Sequence, residues 1–503
     1  MGKICWPSHF LSLELLAIVV FISSLTQTIT PFEEALLGGK VVSLYVDISI
    51  RGGMIHNYIP AQDATKNVQT EGAWTRIYNA TTNHLSPSHQ VNASPILRSD
   101  YGADIVVDQS GNLYVTGGWH SSPFGPFWAR EMAFNFFVAK TDPQGIGVWF
   151  REISSGLNRE DRGISLSLDA DGNVYTLGRS AKPVSDNEGV VSTHEHLYFV
   201  AKYDNDGEQQ WLTWVDGNTY VGVDLVTGKN GDSFVLGHVA QKNNSHNASL
   251  SWVLLKKYNK LGEMLWEQGV GVDSKKSTEI NALANAISID ETGALYVAVS
   301  IADDDRNAKD NETDTLVTKL NHRGRQIWQR NYGVLGRDYP TAIAYNAAAG
   351  QVVMAGYSPG SVPSDASGNK AKYDFVSALS PGNGEPVWIV NLGAEEGGLL
   401  YTAIATDGFG DVHLTGRYGK NGTTKFGLGN AILYARVTRH GRLVHVRHMG
   451  TKNTRDHGNG IAVDNRGNFY ITGSTGGNLN GVPSDASLLA SDLFISKNTP
   501  FKE

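Results

Sequence analysis

The sequence predicts an all-β fold, a seven-bladed β-propeller of four-stranded antiparallel blades. Three observations predict it. A strand–turn–strand pattern occurs seven times, a second hairpin pattern follows it, and a strand near the N-terminus matches the one that the last repeat lacks. The composition agrees, because 56 Gly, 20 Tyr and 11 Trp with only 18% charged residues favour an ordered, turn-rich β protein.

The first pattern reads apolar-x-apolar-x-Asp-x-x-Gly-Asn-x-Tyr-x-x-Gly. Alternating apolar residues predict two short strands, Asp caps the turn between them, and Gly provides the positive φ that the turn needs. Its closing positions Gly117, Gly178 and Gly237 lie 61 and 59 residues apart, which predicts one hairpin per blade. The seven copies are 104–117, 165–178, 223–237, 286–299, 342–356, 403–416 and 460–473.

The second pattern predicts a third strand, a turn at Gly and a fourth strand. Four strands per repeat are typical of a propeller blade. We expect its tryptophan to pack one blade on the next. The copies are 136–149, 198–211, 253–266, 315–328, 375–388 and 433–445, ending in Trp149, Trp211, Trp266, Trp328, Trp388 and His445.

The ends of the sequence predict how the ring closes. The seventh repeat has a third strand at 492–497, and the sequence stops at Glu503 with no room for a fourth. The segment 73–78, with Trp74, has the fourth-strand pattern but no third strand before it. We therefore expect an N-terminal strand to complete the last blade, which removes exposed sheet edges. The propeller is predicted at 73–503, after an N-terminal extension at 29–72 that this pattern does not place.

The hairpin "AVDNRGNFYITG" and the partner "FVAKYDNDGEQQW" resemble the repeats of the SBBP (seven-bladed β-propeller) family, over about residues 73–497. The resemblance implies the propeller fold, among mostly uncharacterised extracellular proteins, and supplies no catalytic residues. The fourth and fifth copies depart most, with Gly293-Ala294 and Gly350-Gln351 in place of Gly-Asn.

Residues 1–28 are predicted to be a signal peptide or a retained signal anchor. Lys3 precedes an apolar run that includes Leu15 to Val20, although Glu14 and the lack of a small-x-small cleavage site weaken the pattern. Either alternative places the rest of the chain outside the cytosol, so we expect a secreted, extracellular protein. Cys5, the single cysteine, lies in this leader, so the mature chain would have no disulfide.

Six Asn-x-Ser/Thr sequons predict a glycoprotein, because all of them fall between predicted strands or at a strand end. They are Asn79, Asn92, Asn243, Asn247, Asn311 and Asn421.

Four acidic residues precede the first strands of their repeats and are candidate ligand-binding residues. Lying at one mouth of the central channel, they could form a carboxylate ring for a cation or a basic ligand. The alternative is that each caps loop amides and pairs with a nearby Arg. They are Asp100, Asp161, Asp338 and Asp456.

No metal site or cofactor is predicted. "DADG" (169–172) and "YDNDG" (203–207) lack the spacing of a calcium loop and are read as turns, and Asp303–Asp305 with Asp310 as a solvated loop. His194-Glu195-His196 has no third zinc ligand and is read as a surface loop.

The leading functional hypothesis is a secreted non-enzymatic propeller, an extracellular binding or structural protein of a mineralised or other matrix. Its partner would be an extracellular protein, glycan or matrix component. A net charge of −8 argues against nucleic acid, and a membrane would be contacted only through a retained anchor. The alternatives are a hydrolase or lyase with its site at the channel mouth and, less favoured, a quinone-dependent oxidoreductase. Catalysis thus stays uncertain, with the non-enzymatic role favoured.

Overall fold

A computed structural model of the chain divides it into two compact units, residues 1–65 and 66–503. In the first unit the described residues form two short antiparallel pairs, Ala35–Leu37 with Lys40–Val42 and Ser49–Arg51 with Met54–His56. The second unit is the propeller. The structure describes residues 35–37, 40–42, 49–51, 54–56, 73–78, 100–120, 134–153, 161–181, 184–185, 191–192, 196–215, 220–242, 249–271, 281–302, 313–332, 338–358, 373–392, 399–419, 430–450, 454–477, 479 and 491–500.

Seven four-stranded antiparallel blades are formed from strands of 5 to 10 residues. In blades 1 to 6 the four strands follow one another along the chain, whereas the fourth strand of blade 7 precedes blade 1 in the sequence. Blade 1 consists of Tyr101–Val107, Leu113–His120, Phe134–Thr141 and Gly147–Ile153. Blade 2 consists of Arg162–Leu168, Val174–Ala181, His196–Tyr203 and Gln209–Val215. Blade 3 consists of Tyr220–Thr227, Ser233–Lys242, Ser249–Tyr258 and Met264–Val270. Blade 4 consists of Asn281–Ile289, Leu295–Ala302, Thr313–Leu320 and Gln326–Asn331.

The remaining three blades follow in chain order. Blade 5 consists of Tyr339–Asn346, Gln351–Ser358, Tyr373–Leu379 and Pro386–Asn391. Blade 6 consists of Leu399–Thr406, Val412–Tyr418, Ala431–Val437 and Leu443–Met449. Blade 7 consists of His457–Val463, Phe469–Thr475, Asp492–Asn498 and Trp74–Tyr78. A short pair, Val184–Ser185 with Val191–Ser192, lies between the second and third strands of blade 2. Among the described residues we find no helical segment with the length and hydropathy of a transmembrane span.

The ring is closed by the N-terminal strand, as predicted. Lys497 pairs with Trp74 and Leu493 with Tyr78, in antiparallel register. The first strand of each blade contacts the first strand of the next, and that of blade 7 contacts that of blade 1. The first strands therefore surround a common central axis.

The hydrophobic core of the described residues consists of seven clusters, one at each junction between neighbouring blades. The cluster between blades 7 and 1 includes Tyr78 of the closing strand beside Ile105 and Leu493. Each sheet thus buries both faces against its neighbours, and closure completes the last of these interfaces.

The turns have the chemistry that the sequence predicts. At the first turn of blade 2 the Asp169 carboxylate accepts the Asp171 and Asn173 amides at 3.0 and 2.9 Å, and Gly172 has a φ of 79°. Asp204 does the same at the second turn of that blade. The interpretation of "DADG" and "YDNDG" as turns is confirmed.

The tryptophans of the fourth strands hold neighbouring blades together. Each ring lies on the second turn of the next blade, with a ring carbon 2.4–3.1 Å from where a Cβ of the turn glycine would be. The Trp149 and Trp211 indoles also donate to turn carbonyls at 3.0 and 2.9 Å. The Trp–Gly pairs are Trp74–Gly145, Trp149–Gly207, Trp211–Gly262, Trp266–Gly324, Trp328–Gly384 and Trp388–Gly441.

His445 of blade 6 takes the position of the missing tryptophan. The next blade is blade 7, in which the third and fourth strands are 492–498 and 74–78. Because no hairpin turn joins those two strands directly, the glycine turn on which a tryptophan would lie does not occur there. The exception in the repeat therefore coincides with ring closure.

Candidate functional site

The four predicted acidic residues lie at junctions between blades. Each immediately precedes the first strand of its blade, and their exposure is only 0–2%. Three of them bond through the backbone amide to the start of the third strand of the preceding blade, Asp100 to Ser491, Asp338 to Thr313 and Asp456 to Asn430.

Both carboxylate oxygens of Asp456 are engaged locally. The Thr454 hydroxyl donates to one, and the Thr475 hydroxyl and the Gly476 amide donate to the other, at 2.7–3.2 Å. The capping alternative therefore accounts for this residue. That Asp100, Asp161, Asp338 and Asp456 bind a ligand together stays a prediction. All six sequons lie outside the described residues, as do His194 and the aspartates at 303–305 and 310.

Two carboxylates that the sequence analysis did not single out lie on the first strands of blades 1 and 3, around the central axis. Ser165 of blade 2 donates to Asp224 at 2.8 Å and lies 3.3 Å from Asp104. Asp104 also accepts the Leu166 amide of the next blade at 2.8 Å. Burial raises the pKa of Asp104 to about 7, and the charge of Asp224 adds to the shift. Burial likewise raises the pKa of Asp224.

These carboxylates have a structural task. Every first strand has a β-bulge next to this position, and a bulge leaves backbone groups unpaired within the sheet. Asp104 accepts a backbone amide of blade 2, and Asp224 accepts a backbone amide of blade 4. At blade 7, Asn459 performs the equivalent task by donating to the Gly102 carbonyl at 2.8 Å.

The candidate site lies at the junction of blades 6 and 7, where blade 6 departs from the repeat. In five other blades the second strand has an aromatic ring under a third-strand lysine, with Nζ 5.0–5.7 Å from the ring centre. Blade 6 has His413 and Arg436 at these positions. Tyr434, two residues before Arg436, lies at a third-strand position that is aliphatic in the six other blades. Phe409 lies at a position of the first turn that is polar or alanine in the other blades.

A hydrogen-bonded chain runs through this junction. His413 Nε2 lies 3.1 Å from Asp407 Oδ2, and His413 Nδ1 lies 3.0 Å from the Tyr434 hydroxyl. Although burial opposes ionisation, hydrogen bonds from His413 and from backbone amides lower the pKa of Asp407. The ionised carboxylate only accepts, so Nε2 of His413 donates the hydrogen bond to Asp407. Burial raises the pKa of Tyr434, which keeps its hydroxyl a donor.

A small cleft of about 50 Å³ opens beside this chain. Arg436 forms one wall, held by Nε and Nη2 at 2.9 and 2.6 Å from Asp411 Oδ2. Phe469 stacks on Tyr434 with ring centres 4.1 Å apart. Gly467 and Pro500 of blade 7 close the far side, and Phe409, which is 68% exposed, lies at the opening.

The size of the cleft decides what it can do. Pockets that enclose a small-molecule ligand typically have about 300–1,000 Å³. The imidazole and carboxylate are almost fully buried and already bonded to each other. The cleft can anchor one small group of a larger partner, with Phe409 as an exposed contact. Among the described residues, no group of three or more His, Cys, Asp or Glu side chains is arranged to hold a metal ion.

Sequence reasoning did not find this site. Its signal was present, because "DVHLTG" has a histidine where the best copies have tyrosine. Aligning the seven copies column by column would have found it.

Comparison with known proteins supports the fold. Residues 447–480, from the end of blade 6 through the first two strands of blade 7, match the sequence model of the SBBP β-propeller repeat. The chain is a seven-bladed β-propeller that contains an SBBP repeat. Regulatory protein FlaEY of Caulobacter vibrioides is 26% identical over 188 residues, or 35% of this chain. The SBBP-repeat propeller spans only 18% of that relative.

Three solved structures are similar to this chain at low identity and with TM-scores under 0.5. Raptor of Chaetomium thermophilum has a TM-score of 0.44 at 9% identity, over 82% of this chain and 29% of Raptor. An ulvan lyase of polysaccharide lyase family PL25 has a TM-score of 0.42 at 11% identity, over 75% and 92% of the two chains. Puromycin hydrolase has a TM-score of 0.42 at 10% identity, over 80% and 52%.

Proposed function

We propose that this SBBP-repeat propeller is a secreted, non-enzymatic protein that binds an extracellular protein, glycan or matrix component, with blade 6 as its binding surface. The observation that carries the proposal is the concentration of departures from the repeat in one blade. In five other blades the equivalent second- and third-strand positions hold an aromatic ring with a lysine over it. In blade 6, His413, Arg436 and Tyr434 line a cleft beside the exposed Phe409.

A binding role fits this geometry better than catalysis. A hydrolase or lyase needs a general acid or base that reaches a bound substrate. Here Asp407 and His413 are 7% and 3% exposed and bond to each other. Exposed aromatic residues beside a small pocket are typical anchors of macromolecular interfaces.

Secretion is tested with the full-length chain expressed in a eukaryotic secretory host. We expect the protein in the medium, with a gel mobility that increases after enzymatic removal of N-glycans. Recovery from the cytosol without glycans would refute secretion.

Binding is tested on extracellular matrix from the producing cells, in a solid-phase assay. We expect Phe409→Ala to reduce binding about tenfold or more, as loss of an anchor does. Leu261→Ala is the matched control, because Leu261 is 64% exposed in a turn of blade 3. Equal loss in both variants would contradict the assignment to blade 6. Cleavage of a matrix polysaccharide that is lost in His413→Ala would contradict the non-enzymatic role.

A further inference from the structure

The second hairpin of blade 6 is strongly basic. Residues 436–449 contain four arginines and three histidines and no acidic residue, in a chain with a net charge of −8. We call this segment the basic hairpin. Its basic residues are Arg436, Arg439, His440, Arg442, His445, Arg447 and His448.

Most of this charge faces solvent. Arg439 and Arg442 are exposed on the turn, which is closed by bonds between Thr438 and residues 441 and 442, and Arg447 is exposed on the outer strand. None of the ion pairs among the described residues involves Arg439 or Arg442. Arg439 Nε donates to His440 Nε2 of the same turn at 3.1 Å, and neither guanidinium group is paired with a carboxylate of the described residues.

The pKa of His445 reflects the electrostatic potential at the basic hairpin. Burial lowers the pKa of His445, and the positive charges of Arg447 and Arg436 lower it further. Arg436 is paired with Asp411, so Arg447 is the arginine near His445 whose charge the basic hairpin directs to solvent.

Strongly basic second hairpins occur in blades 4 and 6. The hairpin of blade 4, residues 319–332, contains Lys319, Arg323, Arg325 and Arg330 and also has no acidic residue. The equivalent hairpins of blades 1 to 3 contain Asp142, Glu152, Asp204, Asp206, Glu208, Glu263 and Glu267. In blade 5, Glu385 is paired with Arg330 of blade 4. Residues 442 and 447 lie five positions apart on extended chain, about 16 Å, so the charges form a row and not a single point.

We propose that the basic hairpin binds an acidic polysaccharide, a linear glycan that carries sulfate or carboxylate groups. Arginine favours these groups because its planar guanidinium donates two parallel hydrogen bonds to them. The choice of a polysaccharide rests on the proposed extracellular function. The hairpin also lacks Phe, Tyr and Trp, the platforms on which single-stranded nucleic acids stack.

The proposal is tested by binding of the purified full-length chain to heparin, with neutral dextran of the same length as the negative ligand. We expect the Arg439→Gln/Arg442→Gln double variant to bind at least tenfold more weakly at low salt. The slope of log affinity against log salt concentration should fall by about 2, one for each removed contact.

The matched control is Lys229→Gln/Lys260→Gln, which removes two exposed lysines from turns of blade 3 and gives the same net charge. It should bind heparin almost as well as the wild type. Equal weakening of both variants would overturn the proposal, because it would show attraction to overall charge. Tighter binding to duplex DNA than to heparin would overturn it in favour of nucleic acid. Because purified protein is used, failure here is distinguishable from failure of secretion.

Discussion

The packing of tryptophan on a glycine turn makes a quantitative prediction at Gly207. This residue has a φ of 81°, and a Cβ added to it would lie 2.6 Å from Cδ2 of Trp149. Gly207→Ala therefore has two costs, the left-handed backbone of a non-glycine residue and displacement of the ring.

The control is Gly172→Ala, at the first turn of blade 2. Gly172 has a φ of 79°, and nothing lies within 4 Å of an added Cβ. Gly172→Ala therefore has only the backbone cost, about 1–2 kcal/mol. At Gly207, overpacking against Trp149 adds about 1–3 kcal/mol. Loss of the bond from the indole to the Asn205 carbonyl, 3.0 Å long, adds about 1 kcal/mol.

We therefore expect Gly207→Ala to be about 2–4 kcal/mol less stable than Gly172→Ala. The free energies of unfolding are measured by urea titration followed by tryptophan fluorescence, with midpoints and slopes compared. Equal destabilisation of the two variants would refute the reasoning, since it would show that the packing of the Trp149 ring does not require a glycine at position 207.

Two further predictions concern the central axis and the ring closure. The pKa of Asp104 is about 7 in the folded protein against 3.8 for an ordinary carboxyl, so the folded state holds a proton that the unfolded state loses between these values. The free energy of unfolding of the wild type should therefore fall as pH rises from about 4 to 7, and it should fall less in Asp104→Asn. Urea midpoints of the wild type and of Asp104→Asn that change in parallel with pH would contradict this. Thr75 and Ser496 are paired in register with hydroxyl oxygens 3.0 Å apart, so Thr75→Cys/Ser496→Cys, in a Cys5→Ser background, should form a disulfide. Reduction should lower stability by up to about 5 kcal/mol, and thiols that stay free under oxidising conditions would argue against closure.

The repeat was predictable because its determinants are local. Alternation, the turn aspartate and the turn glycine recur within each hairpin, so Gly111 and Gly467 have the expected positive φ. Closure was predictable from Trp74 and the strand at 492–497, since an unmatched fourth strand needs an unmatched third. Even the degraded copies form hairpins, because Gly293 and Gly350 retain the turn conformation.

The candidate site was not predictable in the same way. The chain from Asp407 through His413 to Tyr434 joins the first turn, second strand and third strand of blade 6. The cleft also needs Pro500 of blade 7. Such a site depends on which strands become neighbours and on the volume left between them, and the sequence patterns of single hairpins contain neither. The raised pKa of Asp104 likewise depends on burial between blades.

Closure by strand 74–78 also has a consequence for synthesis. Its partner at 492–498 begins 418 residues later (492 minus 74). At about 5–20 residues per second, translation leaves roughly 20–80 seconds between the two strands. Tyr78 is fully buried in the closed ring. During that interval it cannot pack against the strand of Leu493 and Phe494, because those residues have not yet been synthesised. In a nascent chain released early, strand 74–78 would stay exposed. The first strand of the propeller to be synthesised is therefore among the last to be buried.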